Sequence, residues 1–121
     1  MFEDDPQWRE KAKKFSKRIR EFTSFVDDHV HVGDYESDLP VRVFYHEPCH
    51  LRFDKDNSNA AKQIFAKVEN VSLVCPDTGS LCCGQGGLVH LGYPEVSRDI
   101  FSRVFDQVVL HDVDVVVSSC S

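Results

Sequence analysis

The chain has 121 residues, 41% of them hydrophobic and 28% charged, a composition expected of one soluble globular domain large enough to bury its own core. A formal net charge of -6 argues against nucleic acid as a partner, because phosphate backbones select basic surfaces. No apolar run is long enough to span a bilayer, and the opening MFEDDPQW is acidic and lacks the apolar stretch of a signal peptide.

Asp5-Pro6 reads as a helix start, with Asp5 as N-cap and Pro6 at the first helical position. Trp8, Ala12, Phe15, Ile19, Phe22 and Val26 recur at spacings of four and three, which predicts one amphipathic helix of about 20 residues. Glu3, Asp4 and Asp5 sit at the end of its dipole that favours anions. Arg9, Lys11, Lys13, Lys14, Lys17, Arg18 and Arg20 form its other face, read as a solvated outer surface. Residues 28–40, with Gly33 and Pro40, read as a linker, so the chain divides into a leading helix and linker over 1–40 and a domain over 41–121.

Within that domain VRVFYH (Val41–His46) is β-branched and aromatic, a predicted strand stopped by Pro48. A helix is expected over Asn57–Val68, with Ile64, Phe65 and Val68 facing inward. VSLV (Val71–Val74) is a second strand, ended by Pro76. Pro94 opens another helix, in which Val96, Ile100, Val104 and Val108 repeat every four residues beside Phe101 and Phe105. The run Val113–Ser119 has the continuous β-branched character of a parallel strand buried on both faces. A leading helix followed by β-α-β-α-β predicts a small three-layer α/β domain with a parallel sheet and right-handed crossovers. Its core is expected to comprise Val43, Tyr45, Ile64, Phe65, Ile100, Val104, Val115 and Val116.

Five cysteines without an export signal point to a reducing compartment, where metal ligation is a commoner use of thiols than a disulfide framework. Two of them are adjacent, in SLCCGQGG (Ser80–Gly87). Neighbouring Cα atoms lie ~3.8 Å apart, short of the roughly 4.4–6.8 Å of an unstrained disulfide. The pair can be two buried small residues, or two thiolates directed at one metal centre, with glycines letting backbone N–H groups approach it. The spacing Cys49-x32-Cys82-Cys83-x36-Cys120 lacks the local pairs of a zinc finger. Cys49 follows the first predicted strand, Cys82 and Cys83 the second, and Cys120 ends the third. Ligand sites of parallel sheets lie outside the carboxyl ends of the strands, so all four sulfurs are expected to converge there. Cys75, just before Pro76, is expected to be a buried structural thiol. His46 and His50 flank Cys49, and for them ligand, proton-relay and structural roles all stay open. CGQGG lacks the strand-turn context and spacing of a dinucleotide fingerprint.

YHEPCHL, LCCGQGG and the closing VVVSSCS resemble the cysteine-rich CCG domain family over nearly the whole chain. That family includes the iron-sulfur subunit of glycolate oxidase, the lactate-utilisation iron-sulfur proteins and the cysteine-rich subunit of heterodisulfide reductase. The leading EDDPQW is most similar to the glycolate/lactate branch, where such a segment bridges two tandem copies of the domain. The resemblance implies that Cys49, Cys82, Cys83 and Cys120 are metal ligands, with Gly84, Gly86, Gly87, His46 and His50 lining the cofactor site. It implies an iron-sulfur cluster, 4Fe-4S or non-cubane, with zinc as the alternative found in certain relatives.

The function so implied is an electron-transfer module of a 2-hydroxyacid oxidoreductase, fed by a flavin-containing oxidase subunit and accompanied by other iron-sulfur domains of the same complex. The alternatives are a structural zinc-binding interaction domain and a heterodisulfide-reductase-like redox site. The implied location is cytoplasmic, with peripheral attachment to the inner membrane face through the complex, and the fragment is not expected to be active alone. In the family Cys120 begins a Cys-x-x-Cys, so the domain is expected to be cut short at Ser121 and to fold without metal around an ordered, empty site with free thiols at Cys82 and Cys83. Extending it through the missing cysteine is expected to restore cluster binding. Valine at Gly84 is expected to damage metal loading more than folding.

Overall fold

The computed structural model describes residues 5–33, 35–51, 55–76, 79 and 81–120. Glu3 and Asp4, expected at the first helix start, and the terminal Ser121 lie outside the described residues. Helix α1 (Pro6–Ser16) begins as its sequence directs: the Asp5 carboxylate accepts from the N–H groups of Gln7 and Trp8 at 3.0 and 3.2 Å. The single long helix expected here is two. Helix α1 ends at Lys17, and α2 (Phe22–His29) starts afresh from Glu21, whose carboxylate accepts from the Ser24 N–H at 2.9 Å. Lys17, Arg18 and Arg20 crowd like charges into the junction, and the Glu21 cap satisfies a helix N-terminus that a continuous helix would not have. The two helices then diverge in fate. Helix α2 packs against α4 (Ala60–Lys67) and buries Thr23. Helix α1 buries none of its residues, and Trp8 and Phe15 stay 47% and 66% exposed.

Strand β1 (Glu36–His46) starts inside the expected linker and runs through Pro40. Its parallel pairing with β2 (Glu69–Val74) is irregular at that point, passing from Glu36↔Glu69 directly to Val41↔Val71. Proline has no N–H to give the ladder, and Asn70 opposite takes a left-handed φ of 62° while its side-chain amide donates to Ser37 O at 3.0 Å. The predicted helix over Asn57–Val68 is split at Asn59 into a short α3 (Lys55–Ser58) and α4. After β2 come a turn-length α5 (Val89–Gly92), α6 (Pro94–Leu110) and β3 (Val115–Ser118). Strand β3 pairs parallel with β1, giving the order β2-β1-β3. No helix among the described residues is long and apolar enough to cross a membrane.

The core is centred on β1. Val43, Phe44 and Tyr45 are all buried, and successive strand residues point to opposite faces, so both faces of β1 are covered. Tyr45 meets Phe65 of α4 at a centroid distance of 6.3 Å, and Val104 of α6 lines one cavity with Phe44 and His46. Ala60, Ala61, Leu51 and Val32 complete the buried set, while Ile64, Phe65 and Ile100 are half-buried. The expectation for the last strand fails: Val115 and Val116 are 44% and 50% exposed. Strand β3 lies at the sheet edge, and no helix makes an extensive contact with it among the described residues. Its hold on β1 is reinforced at the start, where the Arg42 N–H donates to Asp114 Oδ2 at 2.8 Å and the Asp114 N–H donates to Arg42 O at 2.9 Å.

Candidate metal centre

Because all three strands are parallel, their carboxyl ends share one edge of the sheet. Strand β1 delivers Cys49 there by a tight turn: the Leu51 N–H donates to Pro48 O at 3.0 Å, and the burial of Pro48 and Leu51 anchors the turn while Cys49 and His50 remain exposed. Strand β3 delivers Cys120 beyond Ser118, whose Oγ accepts from the Cys120 N–H at 3.3 Å. The approach is fixed by Tyr45, whose hydroxyl lies 3.1 Å from Ser119 Oγ. Strand β2 ends at Val74 with Cys75 next, and Gly79 and Leu81 line the same cavity of about 120 Å³ as His46, Cys75 and Val104. Cys82 follows at once. Cys75 is exposed, contrary to the buried thiol expected, because β2 is the other edge strand and its end is open.

The Cys-Cys-Gly turn is held to α6. Gly84 has a left-handed φ of 72°, and a Cβ placed there would stand 2.6 Å from Ser97 O. The Ser97 hydroxyl, 2% exposed at the residue level, donates to Gly84 O at 2.9 Å and accepts from Gln85 Nε2 at 3.2 Å. In this clasp the Gly84 N–H points to Cys82 Sγ at 3.4 Å. Gly87 also has a left-handed φ, 61°, but in open space; Gly86 is outside that region and equally open.

His46 and His50 do not share a setting. His46 is half-buried in the cavity with Cys75, and burial holds its imidazole below the usual 6.5, so it is neutral near pH 7. Glu47 beside it lies 3.9 Å from Lys62 Nζ. His50 is exposed and within electrostatic range of Glu21. Burial alone would raise the Glu21 pKa, yet hydrogen bonds from Thr23 and Ser24, with His50 adding its charge, hold it below the ordinary value.

No disulfide joins the five cysteines; Cys49, Cys75, Cys82 and Cys120 are exposed and Cys83 is half-buried. The convergence expected of the sulfurs extends to the shared edge and stops there: among the described residues, no three His, Cys, Asp or Glu side chains form a group that could hold a metal ion. The thiols lie on three separate segments, the turn after β1, the loop after β2 and the end of β3. The donor set nevertheless suits a thiolate-bound cluster: four accessible thiols and a backbone N–H already aimed at one sulfur. Ser97 and Glu21 were invisible to the sequence reading. Ser97 occupies an ordinary polar place on an amphipathic helix, and its only signal is that it faces inward between Tyr93 and Ile100.

Residues 43–121 match the family of CCG cysteine-rich domains. The chain belongs to that family. A lactate utilization protein A of Exiguobacterium is 26% identical over 119 residues, covering 98% of this chain and 49% of the relative. The probable glycolate oxidase iron-sulfur subunit of Bacillus subtilis is 25% identical over 98% of this chain and 27% of its own length. An uncharacterized iron-sulfur protein of Methanococcus maripaludis is 31% identical over 91% of this chain and 22% of its own length. The chain thus spans about half the length, or less, of these curated relatives. No solved structure matches it.

Proposed function

We propose that the chain is an iron-sulfur electron-transfer module of a 2-hydroxyacid oxidoreductase of the lactate or glycolate type, receiving electrons from a flavin subunit and working beside other iron-sulfur domains in the cytoplasm. The observation that carries this reading is the Cys82-Cys83-Gly84 turn, clasped to α6 by Ser97 at the carboxyl edge of the sheet with a backbone N–H directed at Cys82 Sγ. The names of the relatives, an iron-sulfur subunit of glycolate oxidase among them, support the choice of cofactor and reaction class. Cys49, Cys82, Cys83 and Cys120 would hold the group, which when bound supplies one-electron transfer at a potential tuned by N–H contacts to sulfur. The residues of the chain do the rest. Gly84 leaves room for its own N–H beside sulfur, Ser97 fixes the loop, and neutral His46 closes the cavity behind Cys75 without adding charge.

Anaerobic reconstitution with iron and sulfide tests the reading. Brown protein with iron and labile sulfide in a fixed ratio, lost in Cys82→Ser and Cys83→Ser, is the expected result. Reduction of that centre by a flavin-dependent hydroxyacid dehydrogenase supplied with lactate or glycolate is the expected second stage. Folded protein that takes up no iron, or takes up zinc alone, overturns it.

A further inference from the structure

Helix α1 and the junction that follows it form a basic, apolar arm on an acidic body. Residues 6–20 carry seven Lys or Arg and one Glu, a net +6, while the remaining 106 residues carry 19 Asp or Glu and seven Lys or Arg, a net -12. The arm buries nothing, and no element packs extensively against it among the described residues. Trp8, Ala12, Phe15 and Ile19 line a groove along it together with Lys11 and Ser16, with Lys11 Nζ 4.7 Å above the Trp8 ring.

A matching surface exists on the same molecule. Helix α6 buries only Ser97 and Val104 and leaves Phe101, Phe105 and Val109 exposed in a row at spacings of four. Beyond that row, on the side away from Val104, run Glu95, Asp99 and Asp106 with one arginine, Arg103, among them, while Arg98 stands within the row itself. Eleven helical residues extend roughly 16 Å and the 17 of α6 roughly 25 Å, so the arm fits along the α6 row. The two faces are complementary in both respects, apolar stripe to apolar stripe and cationic flank to a flank of net negative charge, and in this structure they make no extensive contact among the described residues.

We infer that α1 of one copy docks along α6 of a second copy, and reciprocally, making a two-fold dimer with exchanged arms. A two-fold arrangement uses both contacts at once, as self-complementary interfaces do. A lipid surface is the poorer match, because an anionic bilayer that attracts the arm repels a body of net -12.

The test is sedimentation velocity of the full chain over a concentration series at low and high salt. The expected result is a dimer that weakens as salt rises. The double variants Lys11→Glu/Lys14→Glu and Asp99→Lys/Asp106→Lys each raise the dissociation constant by roughly tenfold or more, and their combination restores it to within about threefold, because opposed charges across a docked face set its specificity. All four positions are exposed, so the variants keep the parent circular dichroism spectrum. A monomer at every concentration, a dimer indifferent to both double variants, or a monomer that cosediments with phosphatidylserine vesicles overturns the inference.

Discussion

Alanine at Gly84 is expected to destabilise the domain by about 2–5 kcal/mol. A residue with a Cβ at a left-handed φ of 72° costs about 1–2 kcal/mol. The Cβ would also stand 2.6 Å from Ser97 O and 3.2 Å from Ile100 Cβ. The nearer atom is helix backbone and cannot swing aside, so α6 or the loop must shift, at the ~1–3 kcal/mol typical of overpacking. Two neighbouring glycines are internal controls. Alanine at Gly87 meets nothing within 4 Å and carries only the strain of its φ of 61°, about 1–2 kcal/mol. Alanine at Gly86 meets nothing and has no left-handed φ, so it is neutral or stabilising by up to ~1 kcal/mol through the unfolded state. Urea unfolding of the three variants at constant slope reads the order directly. A Gly84→Ala midpoint equal to that of Gly86→Ala would refute the clasp. Valine at Gly84 meets the same obstruction, so folding and metal loading fall together, unlike the sequence-based expectation that loading suffers more.

Three further outcomes follow from the same contacts. Ser97→Ala leaves Gly84 O without its buried donor and costs about 1–3 kcal/mol in urea unfolding, while Gln85→Ala costs much less. Phe44→Ala empties the centre of the sheet at a residue 1% exposed and costs ~3–5 kcal/mol by the same measurement. Because burial depresses the His46 pKa from 6.5, the unfolded chain binds a proton that the folded chain refuses; stability is full above about pH 6.5 and declines as the pH falls toward the folded value. Unfolding midpoints at pH 8 and pH 5.5 measure that slope, and His46→Gln flattens it.

The sequence made the strands legible where chemistry was local. The run Val41–His46 is both a β-branched signal and the buried centre, so its identity survived translation into structure. The run near Val115 was legible as a strand but not as an edge strand, since exposure depends on whether a helix packs over it and not on the residues themselves. The break at Lys17–Glu21 was hidden because the apolar spacing continues across it; only the competition between a like-charged junction and a carboxylate cap decides the outcome. The common edge of the thiols followed from the strand order, because Cys49 and Cys120 come soon after strand ends and Cys82 and Cys83 lie in the loop that follows β2. Their side-chain arrangement did not, since it depends on how three separate segments turn beyond the strand ends. The Ser97 clasp depends on a helix and a loop meeting in space, a relation that no periodicity records.

The arrangement of the sheet also sets an order of assembly. Arg42 finds its β2 partner Ser72 only 30 residues on, but it must wait for Asp114, 72 residues away, to close against β3. Closing a loop more than twice as long costs only about 0.6–0.9 kcal/mol more in chain entropy, and β3 repays it with a short ladder and half-exposed valines. Of the three strands, β3 is therefore the last to be synthesised and the first to come away. Cys120 rides on that strand, whereas Cys49 and Cys82 arrive with the earlier pair, so the thiol edge is complete only in molecules that have finished folding.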